Sequence, residues 1–547
     1  MNEDRLAKDD SKQRRQRFFR IGTAFALGIA IVLVLQLNVR KERERKTSRL
    51  NARDSGLPIA TRPNPPDVAR YDGQLLAAIH CSRCHPVPEP SHLPREHWPF
   101  MMTYMGNYLG YEETNGPFNG IVNARLIPEQ PFVSHEEFSA IHDYYVRDSR
   151  SQKEMLVDQE PRSAMQQFQR YDRSPDIVHD NFMSLVHFDD ITGLYYLGFG
   201  DLKKLGLYTR QGDELMVINC NSEPIHVEAR PAGFRLTEIG DFDFDHTAGS
   251  VHEFLHSEGE LSVNPLVTNF NRLVESHEAD FDGDEIDDLL LVGFGQGEFG
   301  RVSIYWGKQP DDDSRRVTTL IDYSGALHAE LYDYDADGDD DVLILTAQRR
   351  QDLWIFENAG GRSFLSHRVV SQFAGFGFNS FALADFNGDG QKDLLLVNGN
   401  NMELQTPPLR PYHGLRILLN RGGEKFESVA FFPLYGAIKA IPHDFDLDGD
   451  VDIAAIAFYP DWNATLPETF VYLENRGNLD FRPHALDNAP WGRWMTMDRG
   501  DVDADGDQDL LLGAAHIQLG VAPSVKDRYL SLIESAPSFL VLENLAR

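Results

Sequence analysis

One pattern recurs five times in the second half of the chain: D-x-[D/N]-x-D-x-x-x-D, followed by four to six mostly apolar residues. It stands as "DFDGDEIDDLLLVG" from Asp280, "DYDADGDDDVLILT" from Asp333, "DFNGDGQKDLLLVN" from Asp385, "DFDLDGDVDIAAIA" from Asp444 and "DVDADGDQDLLLGA" from Asp501. The starts are spaced by 53, 52, 59 and 57 residues. A near-constant period of this size predicts stacked supersecondary units, and units made only of strands predict propeller blades. A second strand follows each apolar run, as in "VSIYWG", "DLWIFENAGG", "LRILLNRGG", "FVYLENRG" and "FLVLENLAR". Two earlier segments read as degenerate copies: "VHFDDITGLYYLGFGD" from Val186, and "IGDFDFDHTAGSV", in which Gly249 stands where the ninth-position Asp belongs.

Side chains at positions one, three, five and nine, with a backbone carbonyl near seven, can wrap one hard cation in oxygen, as the first part of an EF-hand loop does. The ligand sets are Asp280, Asp282, Asp284 and Asp288; Asp333, Asp335, Asp337 and Asp341; Asp385, Asn387, Asp389 and Asp393; Asp444, Asp446, Asp448 and Asp452; and Asp501, Asp503, Asp505 and Asp509. Carboxylates packed this closely repel one another unless a cation sits among them, so about five Ca2+ are expected. The five loops hold 25 of the chain's 85 acidic residues, so much of the net charge of −33 is an internal matter. The total still argues against a nucleic-acid partner. These repeats resemble the FG-GAP or VCBS modules of α-integrin-like propellers. The resemblance covers residues 176–547 and implies an all-β propeller of seven blades.

Residues 21–39, "IGTAFALGIAIVLVLQLNV", contain no charge and are flanked by arginines and lysines on both sides. At about 1.5 Å per residue such a helix spans roughly 28 Å, close to the bilayer's hydrocarbon core. No small-residue cleavage site follows, so the segment is expected as an uncleaved anchor, with 1–20 as a tail before it and 40–66 as a linker after it. Both flanks are basic, so charge does not set the orientation.

The chain has three cysteines, and two of them fall in "IHCSRCH", residues 79–85. A structural zinc would need a second ligand pair nearby, and a redox dithiol would need a βαβ context; neither is present. Cys-x-x-Cys-His is the pattern that fastens a haem through two thioethers, Cys81 and Cys84, with His85 on the iron. Further on, Trp98, Met102 and Met105 share one helical face, and "SHEEFSAIHDYYVRD" reads as a capped amphipathic helix from Ser134. Residues 67–150 therefore resemble a small all-α monohaem cytochrome c domain, in which a Trp-led helix supplies the axial Met. The resemblance implies one haem c and Met105 as the distal ligand, with Met101, Met102, His92 and His97 as the competing donors. It also implies attachment on the outer side of a bacterial inner membrane, which puts 1–20 in the cytoplasm and the bulk of the chain in the periplasm. Residues 151–175 are polar and read as a linker or a helix joining the two domains. Cys220 reads as a small buried hydrophobe.

Residues five to eight before the metal loops, His328, Asn379, Lys439, and Arg493 with Trp494, have two readings: a polar funnel at the propeller's axial channel for a small molecule or glycan, or, as the favoured expectation, ordinary loop side chains with Trp491 and Trp494 packed in the core. No nucleophile triad, phosphate-cradling glycine loop, metalloprotease helix or quinone or flavin signature is present. The expected function is single-electron transfer by a membrane-anchored periplasmic cytochrome c working with a redox partner protein, the propeller serving to dock a partner or ligand. The alternatives are a redox enzyme whose substrate is bound by the propeller, and an adhesion or scaffold protein.

Overall fold

The computed structural model describes residues 72–546 apart from 84, 112–126, 157–161, 173–174, 178, 231, 241–247, 258–259, 297–298, 308–316, 349, 401–407 and 487–490. The expected anchor at 21–39, and Cys84, lie outside the described residues. Among those described, no helix is long and apolar enough to cross a membrane.

The chain divides into two compact units, residues 1–71 with 103–136, and residues 72–102 with 137–547. In the first unit the described stretches 103–111 and 127–136 are tied by Phe132 N–H donating to Leu109 O (2.9 Å) and Tyr111 OH donating to Val133 O (2.7 Å).

Seven sheets dominate the second unit, each an antiparallel meander. Blade 1 runs through Met183–Asp189, Leu194–Phe199, Lys204–Thr209 and Glu214–Asn219, and blade 2 through Pro224–Arg230, Gly233–Glu238, Gly249–Ser257 and Glu260–Phe270. Blades 3 to 6 begin at Leu273–Ala279, Ala326–Tyr332, Phe378–Ala384 and Ala437–His443, and blade 7 at Trp494–Gly500. The chain is therefore a seven-bladed β-propeller. Its last blade has only three strands of its own, Trp494–Gly500, Asp509–Ala514 and Phe539–Asn544, and Phe168–Arg170 supplies the fourth by pairing antiparallel with Phe539–Asn544. Ser163–Ala164 adds to the edge of blade 6, where it pairs parallel with Phe481–Ala485. Part of the 151–175 segment thus closes the ring, holding the two ends of the propeller together by backbone hydrogen bonds.

Each second strand is the apolar run that follows an Asp loop. Asp341–Thr346, Asp393–Asn398, Asp452–Ala457 and Asp509–Ala514 are buried at every position. A strand covered on both faces has no solvent side, so it reads as a continuous apolar run. Neighbouring sheets close over apolar clusters, such as Leu395, Val397, Leu415, Ala437, Ile453 and Ala455 between blades 5 and 6.

The two early segments are built differently from each other. In blade 1 the first-to-second turn, Asp189 to Gly193, is short, and Asp189 accepts from Thr192 N–H (2.8 Å) and Thr192 OH (2.5 Å). In blade 2, by contrast, Arg230 pairs directly with Gly233, and the "GDFDFDHT" segment, whose residues 241–247 lie outside the described residues, falls in sequence between the second strand and the third. It is not a degenerate copy of the metal loops, because those connect first strand to second. The acidic spacing alone could not show which end of the blade it occupies.

Candidate functional site

The Asp loops occupy the first-to-second turn of blades 3 to 7, and the position-one carboxylate folds each one. Asp385, for example, accepts from the N–H groups of Gly388 (2.8 Å), Asp389 (3.2 Å) and Gly390 (2.8 Å). Position six turns left-handed, at φ +100° in Gly338 and +102° in Gly506, where glycine carries no Cβ penalty. In blade 3 the same position is Glu285 at +65°.

The ninth-position Asp does more than spacing suggested. Asp341 accepts from Tyr334 N–H (2.7 Å) through one oxygen and Asn358 N–H (2.7 Å) through the other. Asp393 takes Phe386 and Asn420, Asp509 takes Val502 and Asn544, and Asp452 takes Phe445, Asn475 and the Tyr472 hydroxyl. Asp288 takes Phe281 and Gly307. This carboxylate knots the loop to the turn after the third strand in every complete repeat. The recurring Asn of "EN" and "LN" at the end of the third strand was its sequence signal.

The loops also fit a cation. In four of them three carboxylates bring oxygens within 4.8 Å of one another: Asp280, Asp282 and Asp288; Asp333, Asp335 and Asp341; Asp444, Asp446 and Asp452; and Asp501, Asp503 and Asp505. At Asp385, where Asn387 replaces one carboxylate, no such acidic trio forms among the described residues. Burial, with the neighbouring carboxylates, pushes Asp288 up to about 6 and Asp452, Asp507 and Asp509 up to about 7. Oxygen-rich clusters that resist ionising together suit a hard divalent ion. In blade 3 the protein supplies a positive charge itself: Arg362 Nε lies 2.5 Å from Asp282 and Nη2 lies 3.7 Å from Asp284.

The segment 72–102 with 137–155 packs as helices. Asp72 caps Gly73–Cys81 by accepting from Leu75 N–H (2.9 Å). That helix meets His135–Asp148 so closely that a Cβ on Gly73 would lie 2.0 Å from Ala140 O. Trp98 stacks on Tyr145 (4.1 Å between centroids), and their polar ends donate to Pro90 O and Pro88 O (each 2.9 Å). Cys81 ends the first helix, and half-buried His85 places Nδ1 2.8 Å from Pro86 O. A carbonyl only accepts, so the proton sits on Nδ1 and the Nε2 lone pair is left for a metal. Cys84 lies outside the described residues, so of the expected haem donors on this segment the structure places Cys81 and His85.

Met105 is half-buried on the helix Trp98–Tyr108. Of the competing donors, Met101 and Met102 are buried in the core. His92 accepts from Glu89 N–H at Nδ1 (3.0 Å), so its Nε2 carries the proton, and its ring stacks on Phe373 of the propeller (3.8 Å, 9°). As placed, His92 joins helices to propeller and offers no lone pair at Nε2. Gln152 adds a second tie by donating to Leu409 O (2.8 Å).

The first strands of the blades carry a cluster of ionisable groups. His328 of blade 4 places Nδ1 2.7 Å from Glu275 of blade 3, and His277 Nε2 lies 3.2 Å from the same carboxylate. The rings of His226 and His277 are 5.3 Å apart, and His187 of blade 1 reaches Asp498 of blade 7 (2.8 Å), with Lys439 close by. Burial opposes the charge on His328, but Glu275 and Glu330 overcome it and raise the imidazole to about 10. Burial would likewise raise Glu275, yet His328 and His277 hold it well below the usual carboxylate range. His226 is driven down to about 3, by burial first and His277 second. His328 and Lys439, two of the residues weighed for the axial channel, sit in this cluster. Asn379 instead bridges blades, donating to Ala437 O (2.7 Å). Arg493 does not face the cluster: it is fully buried, donates to Phe458 O (2.9 Å) and Leu519 O (2.6 Å), and lies 3.6 Å over the Phe458 ring. Trp494 is core. His187, His226, Glu275, His277 and Asp498 were missed, although alternate residues of "VESHEA" and "LHAELY" fall on one strand face.

A model of the FG-GAP-like repeat matches residues 333–396, from the Asp loop of blade 4 into the second strand of blade 5. No curated protein matches the chain. Among solved structures, the N-terminal domain of Nup159 is similar at 7% identity and a TM-score of 0.40, covering 71% of this chain and 98% of that one. BBS1N in complex with ARL6DN is similar at 10% identity and 0.41, covering 70% and 97%. Sqt1 of Saccharomyces cerevisiae stands at 10% and 0.38, covering 70% and 98%.

Proposed function

We propose that this chain is a membrane-anchored periplasmic c-type cytochrome that transfers single electrons to or from a redox partner protein, its calcium-stabilised propeller serving as the docking module. The carrying observation is His85 beside the Cys81 and Cys84 pair, with Nδ1 committed to Pro86 O so that Nε2 is left to ligate iron. Haem bound there supplies a one-electron redox centre. Cys81 and Cys84 hold it covalently, His85 supplies the proximal nitrogen, and Met105 is the distal thioether. The segment 21–39 is the anchor, and the haem attachment sets its orientation, with 1–20 in the cytoplasm. The Asp loops hold structural Ca2+.

A second reading, a redox enzyme whose substrate is bound by the propeller, is favoured by the Glu275, His277 and His328 cluster, which offers both a proton donor and a carboxylate among the first strands. The experiment that separates the two is a redox titration of the purified full chain, with and without small-molecule reductants. The carrier reading expects reduction by a protein or quinol donor and no turnover with sugars, alcohols or aldehydes. Steady turnover with any of these would replace it with the enzyme reading.

A further inference from the structure

The five Asp loops share a spacing, but position seven varies: it is Ile286 in blade 3, Gln391 in blade 5, and an Asp in blades 4, 6 and 7, as Asp339, Asp450 and Asp507. Asp339 and Gln391 are exposed, and Ile286 and Asp450 are half-buried. Asp507 alone among these is buried, at 4% exposure, and neither of its carboxylate oxygens has a hydrogen-bond partner. The carboxylates that act on it are Asp505, Asp503 and Asp501, the trio whose oxygens converge within 4.8 Å. Resting on the calcium reading, we propose that Asp507 is a direct carboxylate ligand of the cation in the seventh-blade loop, and that this loop is the tightest of the five.

A buried carboxylate without a donor is costly, and the guanidinium that reaches this loop, Arg210, donates to the backbone oxygen of Asp501 rather than to a carboxylate. Among the described residues, no basic side chain pairs with a carboxylate of this loop. Blade 3 shows the opposite arrangement: Arg362 reaches across from blade 4 to Asp282 and Asp284, with its guanidinium 4.9 Å over the Trp306 ring. A cation entering that loop has to displace or share with Arg362. One entering the seventh loop meets one more carboxylate than the common pattern supplies, and carboxylate count is a main determinant of affinity in such loops. The loops are therefore graded, with the seventh at the tight end and blade 3 at the weak end.

The test is Ca2+ binding to the full chain after stripping with chelator, read by calorimetry, for the wild type, Asp507→Asn, Asp450→Asn and Arg362→Gln. Asp507→Asn should weaken the tightest class of sites by about tenfold or more. Asp450→Asn should leave that class unchanged, and Arg362→Gln should tighten the weakest class. Thermal unfolding gives an independent readout: Asp507→Asn should raise the melting temperature in chelator, by removing a repelling charge, and shrink the rise that Ca2+ produces. A tightest class unmoved by Asp507→Asn, or a melting temperature lowered equally with and without Ca2+, would overturn the proposal. A wild-type chain that binds no Ca2+ at all would overturn the calcium reading itself.

Discussion

Replacing Asp341 with Asn tests whether the ninth-position carboxylate is a structural knot as well as a cation ligand. Asp341 is fully buried, and its two oxygens each accept a backbone N–H at 2.7 Å. Asn keeps one acceptor and turns an NH2 group toward the other N–H, donor against donor. The change removes one charge-assisted bond, about 1.5–3 kcal/mol, and strands a buried N–H at about 1–3 kcal/mol, partly offset because the neutral amide is easier to bury. A net loss of about 2–4 kcal/mol follows. With an unfolding entropy of about 2.1 cal/mol/K per residue over roughly 370 residues, each kcal/mol lowers the melting temperature by about 1.3 °C, so the expected drop is about 3–5 °C. The assay is thermal unfolding in chelator, where a ligand role contributes nothing. A drop seen with Ca2+ but absent in chelator would refute the knot and leave Asp341 as a ligand only.

Other outcomes follow from the same structure. His328 is raised to about 10, so its ion pairs with Glu275 and Glu330 stabilise the fold fully below about pH 6.5, the unfolded value, and that contribution fades as pH rises through 10. His328→Gln should flatten the fall in stability between pH 6.5 and 10, measured by urea unfolding at each pH, by at most about 4–5 kcal/mol; an unchanged slope would show that the pair is not charged. Gly73→Val places side-chain atoms where Ala140 O already lies within 2.0 Å of a Cβ, so the helix crossing should open and limited proteolysis should cut first near Cys81. His92→Ala removes the ring stacked on Phe373 and should free the helical segment from the propeller, seen as faster amide exchange at Phe373 and Tyr412; equal exchange rates would show that the stack holds nothing.

The parts legible in the sequence were those repeated with constant spacing. Five loops with apolar runs behind them gave both the blade period and the second strands, because a strand covered on both faces must be apolar throughout. The ring-closing strand Phe168–Arg170 was hidden because it is three residues in a polar stretch, and its pairing is set by a partner more than 350 positions away. Blade 2 was misread because acidic spacing resembles a metal loop at either end of a hairpin. Asp288, Asp341, Asp393, Asp452 and Asp509 look like ligands by spacing, and only the fold reveals the backbone donors that each one ties. The cluster around Glu275 was missed because it is assembled from different blades, and no local pattern shows that His328 of blade 4 meets a carboxylate of blade 3.

The central claim rests on Cys81, Cys84 and His85, and a pyridine haemochrome spectrum of the purified full chain, with its intact mass, tests it most directly. The account predicts c-type bands at one haem per chain, a mass increased by one haem, and loss of both in the Cys81→Ala, Cys84→Ala double variant. A chain matured in a periplasm competent for haem attachment that shows its bare polypeptide mass and no c-type bands would contradict it.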